Sequence, residues 1–126
     1  MSELTPYLCV SGARQAIDWY ARAFGAVVTY DPIVMDDGRI GHTELSIDGA
    51  RLMLADEFPE AGVAGPALDR GAAVTLHLTV DDVQEVTARA VQEGARLDRG
   101  PEAGEEGQVA VLRDPYGHRW FLNGPA

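Results

Sequence analysis

Three side chains of this sequence carry groups that often do chemistry at neutral pH: His42, Glu44 and His77. Two imidazoles and one carboxylate are the composition of a facial triad, which holds a divalent transition metal. His42 and Glu44 are two residues apart and so share one side of an extended strand. As a pair they could instead form an acid–base couple that needs no metal. These three residues are the catalytic candidates, and the sequence does not decide whether the chain is an enzyme.

A second group of residues has the character of a surface that binds an organic ligand. Aromatic and thioether side chains lie near polar ones, and Tyr7 and Phe121 could stack on a flat ring. This mixture favours an aromatic or amphipathic ligand. The other interpretation is that these side chains only fill the space between two sheets. The predicted ligand-binding residues are Tyr7, His42, Glu44, Met53, Thr75, His77 and Phe121.

Composition and charge narrow the class of protein. The chain has 126 residues, 46% of them hydrophobic and 24% charged, which is typical of one ordinary globular domain. Its formal net charge is −10, which disfavours binding to nucleic acid or to an anionic membrane surface. Residues 1–6 lack a basic region and an apolar signal core, so we expect a cytoplasmic protein.

Other catalytic signatures are missing from the sequence. It contains no glycine-rich dinucleotide or phosphate-binding loop, no G-x-S-x-G and no C-x-x-C. The single cysteine, Cys9, lies in an apolar run, where a buried and unreactive thiol is the favoured interpretation. His118 lies beside Gly117 and is interpreted as a turn or dimer-contact residue.

The chain repeats itself after about 70 residues, which is the strongest clue to its architecture. Thr5-Pro6-Tyr7-Leu8-Cys9-Val10 resembles Thr75-Leu76-His77-Leu78-Thr79-Val80, and an amphipathic segment follows each of these runs. Asp48-Gly49-Ala50-Arg51-Leu52-Met53-Leu54 similarly resembles Tyr116-Gly117-His118-Arg119-Trp120-Phe121-Leu122. Each half therefore predicts a strand, a helix and three further strands.

The periodicity of apolar residues gives the predicted bounds of these elements. Ser11 and Asp81 are the predicted N-caps of the two helices, and residues 100–107 are predicted to form a mobile loop. Module 1 is predicted to span about residues 1–56, a linker about 57–71, and module 2 about 72–126, within one domain of residues 1–126. The predicted elements are Thr5–Val10, Gly12–Phe24, Ala26–Val34, Arg39–Ile47, Ala50–Ala55, Ala73–Val80, Asp82–Glu93, Arg96–Asp98, Gln108–Arg113 and His118–Leu122.

This arrangement resembles the vicinal-oxygen-chelate superfamily of glyoxalases, bleomycin-resistance proteins and extradiol dioxygenases, and most closely its small glyoxalase-like members. The resemblance rests on four sequence segments, of which the last is the most specific: Thr5-Pro6-Tyr7-Leu8, Ala16-Ile17-Asp18-Trp19-Tyr20, Gly41-His42-Thr43-Glu44-Leu45 and Asp114-Pro115-Tyr116-Gly117-His118-Arg119-Trp120. It implies an α+β fold of two tandem βαβββ modules whose curved mixed sheets form a cup, with helices outside. It also implies that the protein is a homodimer.

The resemblance also places four metal-ligand positions, on the first and fourth strands of each module. They fall on Thr5, Met53, Thr75 and Phe121 in this sequence. Threonine hydroxyls, a thioether and a phenyl ring are poor ligands for the divalent cations that these enzymes use. This departure puts metal-dependent glyoxalase, epimerase, dioxygenase and fosfomycin-resistance activities in doubt.

The favoured interpretation is therefore a protein that binds a small aromatic or amphipathic molecule without a metal or other cofactor, as in antibiotic sequestration. The alternative is a lyase, isomerase or dioxygenase of the same superfamily that uses His42, Glu44 and His77 as a non-standard metal site or as acid–base residues. A third interpretation is a module that acts through a protein interface.

Overall fold

The computed structural model describes residues 1–126, which form two compact units, Met1–Gly65 (unit 1) and Pro66–Ala126 (unit 2). Each unit contains one helix and one four-stranded mixed sheet in the order predicted from the repeat. The α+β fold of tandem βαβββ modules is thereby confirmed. Neither helix has the length and apolar character needed to cross a membrane.

Unit 1 contains β1 (Tyr7–Val10), α1 (Ala13–Phe24), β2 (Val27–Val34), β3 (Ile40–Ile47) and β4 (Ala50–Asp56). The strand order is β1-β4-β3-β2, with β1 parallel to β4 and the other pairs antiparallel. Alternate residues such as Leu45, Leu52 and Leu54 are buried on the side of the sheet that α1 covers. Their neighbours lie on the opposite side, here called open face 1.

Unit 2 contains β5 (Thr75–Thr79), α2 (Val83–Gln92), β6 (Arg96–Gly104), β7 (Gly107–Arg113) and β8 (Arg119–Gly124). Its strand order, β5-β8-β7-β6, repeats that of unit 1. Leu78, Trp120 and Leu122 are buried on the α2 side. Thr75, His77, Arg119 and Phe121 lie on the other side, here called open face 2.

The predicted mobile loop at residues 100–107 is wrong. The strand β6 continues to Gly104, which pairs with Gly107 across a two-residue turn. The glycines of this stretch predict a break in the strand, but Gly100 is needed inside the strand pair. It has φ of 75°, and a Cβ there would collide with the Val109 carbonyl oxygen.

Both predicted helix caps are also wrong. The α1 helix begins after Gly12, and the Asp56 carboxylate accepts the Gly12 and Ala13 N–H groups at 3.2 and 2.7 Å. Asp56, at the end of β4, thus provides the helix cap that was predicted at Ser11. The α2 helix is capped by Asp82 rather than Asp81, through the Glu85 N–H at 3.1 Å.

Candidate functional site

Open face 1 brings together residues from three neighbouring strands. Tyr7 of β1 pairs with Met53 of β4, which pairs with Glu44 of β3. One pair further along the sheet, Cys9 lies beside Ala55, and His42 lies beside Ile33. The strand period of two puts these side chains on the same face, and the parallel pairing of β1 with β4 brings Tyr7 close to His42.

A chain of hydrogen bonds runs through the polar residues of this face. His42 Nδ1 lies 2.7 Å from the Tyr7 hydroxyl oxygen, and His42 Nε2 lies 2.9 Å from Glu44 Oε2. Arg51 donates to Glu44 Oε1 at 2.7 Å and to Glu3 at 2.6 Å. The imidazole is therefore fixed on both sides, by a phenol and by a carboxylate.

The proton positions in this chain are linked. The Tyr7 hydroxyl also lies 3.1 Å from the Gly41 carbonyl oxygen, to which it can donate. If His42 is neutral with its proton on Nε2, that proton faces Glu44, and the Tyr7 hydroxyl can donate to Nδ1. If His42 is protonated, Nδ1 donates to Tyr7, which then donates to Gly41. The Tyr7 hydroxyl can thus present either a donor or an acceptor arrangement without any movement of the backbone.

The charges around this chain set the ionisation of its two acids. Hydrogen bonds from His42 and then from Arg51 hold the pKa of Glu44 below its usual value. Burial, followed by the charge of Glu44, raises the pKa of Tyr7. The Tyr7 phenol therefore stays protonated at neutral pH, and it acts as a hydrogen-bonding group rather than as a phenolate base.

A cavity of about 650 Å³ opens in unit 1 beside the hydrogen bonds of Tyr7 and His42, and its lining is mostly apolar. Tyr7 and His42 supply its main polar side-chain groups. Its size is within the range of sites that hold drug-sized molecules. The lining residues are Tyr7, Leu8, Cys9, Ile33, Met35, Gly41, His42, Ala55, Phe58, Ala61 and Val63.

One wall of the cavity is the segment 57–63, which includes a single 3-10 turn at Pro59–Ala61. Arg39 holds this wall in place. Its guanidinium lies 4.0 Å from the centre of the Phe58 ring and donates to Glu60 at 2.6 Å. The same guanidinium donates to Asp37 at 2.8 Å, which ties the wall to the β2–β3 turn. The bond from Arg39 lowers the pKa of Glu60 to about 2.

Cys9 lines the cavity and is partly buried. Burial, with the nearby charges of Glu57 and Asp56, raises the pKa of the Cys9 thiol. A raised pKa reduces the thiolate fraction, so this cysteine is a weak nucleophile. The predicted lack of reactivity agrees with this environment, although the side chain is less buried than expected.

The other predicted residues lie on open face 2. His77 stacks on Phe121 with ring centroids 5.4 Å apart and an interplanar angle of 16°. The Thr75 hydroxyl accepts a hydrogen bond from Arg119 Nη1 at 2.7 Å. These residues form an aromatic surface beside a guanidinium.

The residues at the metal positions of the resemblance do not fit a divalent cation. Of the four, only the threonines carry oxygen, and the Thr75 oxygen is already bonded to a guanidinium, whose charge would repel a cation. The strand partners of Met53 and Phe121 are Tyr7 and His77. No group of three or more His, Cys, Asp or Glu side chains within either unit is arranged to hold a metal ion.

Two of the seven predicted ligand-binding residues, Tyr7 and His42, line the cavity, and Glu44 and Met53 lie beside them on open face 1. Thr75, His77 and Phe121 lie in unit 2. Sequence reasoning missed the wall residues because it treated residues 57–71 as a linker. The aromatic and apolar members of that stretch, Phe58 and Val63, were the available signal, and they form a backbone bridge to each other.

Comparisons with known proteins address the ancestry of this architecture. The model of the Glyoxalase/Bleomycin resistance protein/Dioxygenase superfamily matches residues 4–122. The chain belongs to this superfamily. An uncharacterised protein of Mycobacterium tuberculosis is 37% identical over 97% of this chain and 74% of its own length. One from Mycobacterium bovis is 37% identical over 97% of this chain and 82% of its own length.

Several solved structures share the fold. TnmS3, an antibiotic binding protein from Streptomyces sp. CB03234, has a TM-score of 0.68 and 26% identity, with 100% of this chain and 98% of that chain covered. TioX from Micromonospora sp. ML1 has a TM-score of 0.73 and 23% identity, covering 99% and 97%. FosX, a fosfomycin resistance protein from Listeria monocytogenes solved with Mn(II) and sulfate, has a TM-score of 0.72 and 17% identity, covering 100% and 92%.

Proposed function

We propose that this superfamily member binds a small aromatic or amphipathic molecule in the unit 1 cavity, without a metal, and that it sequesters such a molecule as an antibiotic-binding protein does. The observation that carries the proposal is the mostly apolar cavity of about 650 Å³ with the Tyr7–His42 pair at its edge. Apolar lining with a few fixed polar groups is the usual composition of a small-molecule site.

The residues of the cavity define the character of the ligand. Phe58 and Tyr7 offer ring surfaces, and Met35 offers a polarisable thioether that adapts to an aromatic edge. The Tyr7 hydroxyl and the His42 imidazole can hydrogen-bond one polar group of the ligand. Thr75, His77 and Phe121 lie in unit 2 and are not among the residues that line this cavity, so their role in ligand binding stays a prediction of its own.

The comparison with TnmS3 supports this class of function, because that protein is described as antibiotic binding and shares 26% of its residues with this chain. The misfit of the metal positions supports binding rather than the metal chemistry of other members. A protein that sequesters its ligand needs affinity alone, which an apolar pocket with preorganised side chains provides.

We further propose that the chain is a homodimer that uses β2. This edge strand exposes apolar side chains along its whole length, including Val27 at 59% and Val34 at 50%. An exposed apolar edge strand is a pairing surface. Sedimentation of the purified chain should give twice the 13.5 kDa mass, and Val27→Glu should shift it to the monomer. A wild-type monomer at all concentrations would contradict this proposal.

The test of the cavity uses Nile red, a flat and uncharged aromatic dye whose fluorescence rises in apolar sites. Ala61 lines the cavity and lies on the exposed wall turn, so Ala61→Trp should fill the cavity without disturbing the core. The expected result is a Kd about tenfold weaker, which corresponds to ~1.4 kcal/mol.

The matched control is Ala64→Trp, the same substitution at an exposed residue three positions away that is not among the lining residues. It should bind Nile red as the wild type does. Equal affinities of wild type, Ala61→Trp and Ala64→Trp would show that the dye binds elsewhere, and absence of dye binding to the wild type would contradict the proposed function.

The hydrogen-bond chain favours one second candidate, a lyase or isomerase that uses acid–base chemistry at His42. An imidazole held by Glu44 and reaching a phenol is an arrangement that can pass a proton to a bound molecule. A ligand that is released chemically unchanged after prolonged incubation supports sequestration. Conversion that His42→Ala abolishes, while Nile red affinity is kept, supports the enzyme.

A further inference from the structure

Three arginines lie side by side on open face 2, which is unexpected in a sheet. Arg96 of β6 pairs with Arg113 of β7, and Arg113 pairs with Arg119 of β8. Arg119 in turn pairs with Thr75 of β5, which completes a row across all four strands. Like charges directly opposite each other on neighbouring strands destabilise a sheet. A row of this kind needs a compensating interaction.

Only one of the three arginines has a carboxylate partner. Arg96 is paired with Asp98 at 2.8 Å. Arg119 donates to the Thr75 hydroxyl, and Arg113 donates to the Arg70 carbonyl oxygen at 2.7 Å. The chain has 20 acidic residues against 10 basic ones, yet none of the acids forms an ion pair with Arg113 or Arg119.

Arg113 provides an independent sign that this charge is unmatched. The residue is 5% exposed, and its Nη2 group is buried without a hydrogen-bond partner. A buried donor that lacks a partner is costly, and more so when it is charged. Such groups are rare in natural proteins, and each one calls for an explanation, such as a bound ion or a catalytic role.

The neighbourhood of Arg119 is suited to a particular kind of anion. Phe121 is two residues from Arg119 on the same face, and its ring is stacked on His77. A flat ring can lie against this aromatic pair while an acidic group on the ring meets the guanidinium fork. Guanidinium and carboxylate match in planar, bidentate geometry.

We propose that open face 2 binds an aromatic carboxylate, with Arg119 holding the carboxylate, Arg113 adding positive charge beside it, and His77 with Phe121 holding the ring. At the Thr75 position, where the family resemblance would place a metal ligand, this chain has a guanidinium instead. The positive charge that attracts an oxygen ligand is then supplied by arginine. The inference goes beyond the proposed function, because this site lies in unit 2 and prefers an anion in a protein of net charge −10.

The test compares benzoate with its neutral isostere benzamide, using chemical-shift titration of isotopically labelled full-length protein. Benzoate should shift the ring signals of Phe121 and His77 and the side-chain N–H signal of Arg119, and benzamide should bind at least ~10-fold more weakly. Arg119→Gln keeps a donor for Thr75 but removes the charge, and it should weaken benzoate about tenfold or more.

The matched control is Arg89→Gln, which removes the same charge from α2, the element that packs on the other side of this sheet. It should leave benzoate affinity unchanged. If Arg119→Gln does not fold, Phe121→Leu provides the second variant and should weaken benzoate while preserving the Arg119 signal shift.

Three outcomes would overturn the inference: benzamide binding as tightly as benzoate, inorganic phosphate binding as tightly as benzoate, or Arg119→Gln and Arg89→Gln losing affinity equally. Failure here is distinct from failure of the proposed function. Nile red is uncharged, and its affinity tests the unit 1 cavity through Ala61→Trp. Benzoate is anionic, and its affinity tests open face 2 through Arg119→Gln.

Discussion

Asp56 joins three parts of unit 1, and its replacement by alanine should destabilise both the unit and its cavity. Its Oδ1 accepts the N–H groups of Gly12 and Ala13 at the start of α1. Its Oδ2 accepts the N–H of Ile40 at 2.7 Å, at the start of β3. The next residue along β3, Gly41, lines the cavity.

The magnitude follows from these bonds. Loss of a helix N-cap costs about 1–2 kcal/mol. Loss of the partner of the Ile40 N–H, at a residue that is fully buried, adds ~1–2 kcal/mol. Asp56→Ala should therefore lower the free energy of unfolding by about 3 kcal/mol and the Tm by ~10 °C or more. Asp56→Asn keeps one carbonyl oxygen, so it should cost roughly half as much.

Urea unfolding measures this change, and Asp18→Ala, at an exposed position of α1, is the surface control. Asp56→Ala should also weaken Nile red binding under native conditions, because the start of β3, next to the cavity residues Gly41 and His42, loses its bond to Asp56. A loss of stability below about 1 kcal/mol, equal to that of Asp18→Ala, would refute the reasoning that this carboxylate organises the unit.

Three further predictions concern other parts of the chain. Asp114 is 3% exposed and accepts the Trp120 indole N–H at 2.9 Å. Asp114→Ala should therefore lower the free energy of unfolding in urea by ~3 kcal/mol or more, and a change near zero would contradict this. Cys9 should react with a disulfide reagent more slowly at pH 7 than a free cysteine, because its pKa is raised, and Nile red should slow it further; a faster reaction would contradict the environment described. The pKa of Glu60 is lowered to about 2, so its pairing with Arg39 stabilises the wall fully above the usual carboxyl pKa, and this stability is lost as the pH falls towards 2. The wall amides of the wild type should therefore exchange more slowly than those of Glu60→Gln at neutral pH, and the two rates should converge at low pH.

The repeat made the fold predictable, because each half carries its own strand and helix periodicity in the same order. The ends of helices and strands were harder to predict where they depend on contacts between residues that are distant in the sequence. The cap of α1 comes from Asp56, more than forty residues away, and no local pattern indicates it. The continuation of β6 past Gly100 depends on the pairing of Glu102 with Val109 of β7, which overrides the local preference of glycine and proline for turns.

The site was predictable where strand alternation decides orientation. The period of two correctly placed His42 beside Glu44 and put Tyr7 on the same face. The hydrogen bonds among them depend on strand pairing, which a single sequence does not contain. The wall was missed for a different reason: Phe58 and Val63 lie in a stretch with the composition of a linker. Their bridge to each other and the contact of Phe58 with Arg39 are seen only in the folded structure.

The most direct test of the central claim is the affinity for Nile red before and after exhaustive chelation, with metal content per chain measured on the same samples. A metal-free site predicts near-zero transition metal and the same Kd in both samples, with Ala61→Trp weakening both equally. About one equivalent of a transition metal, with binding lost on chelation and restored by the metal, would contradict the account.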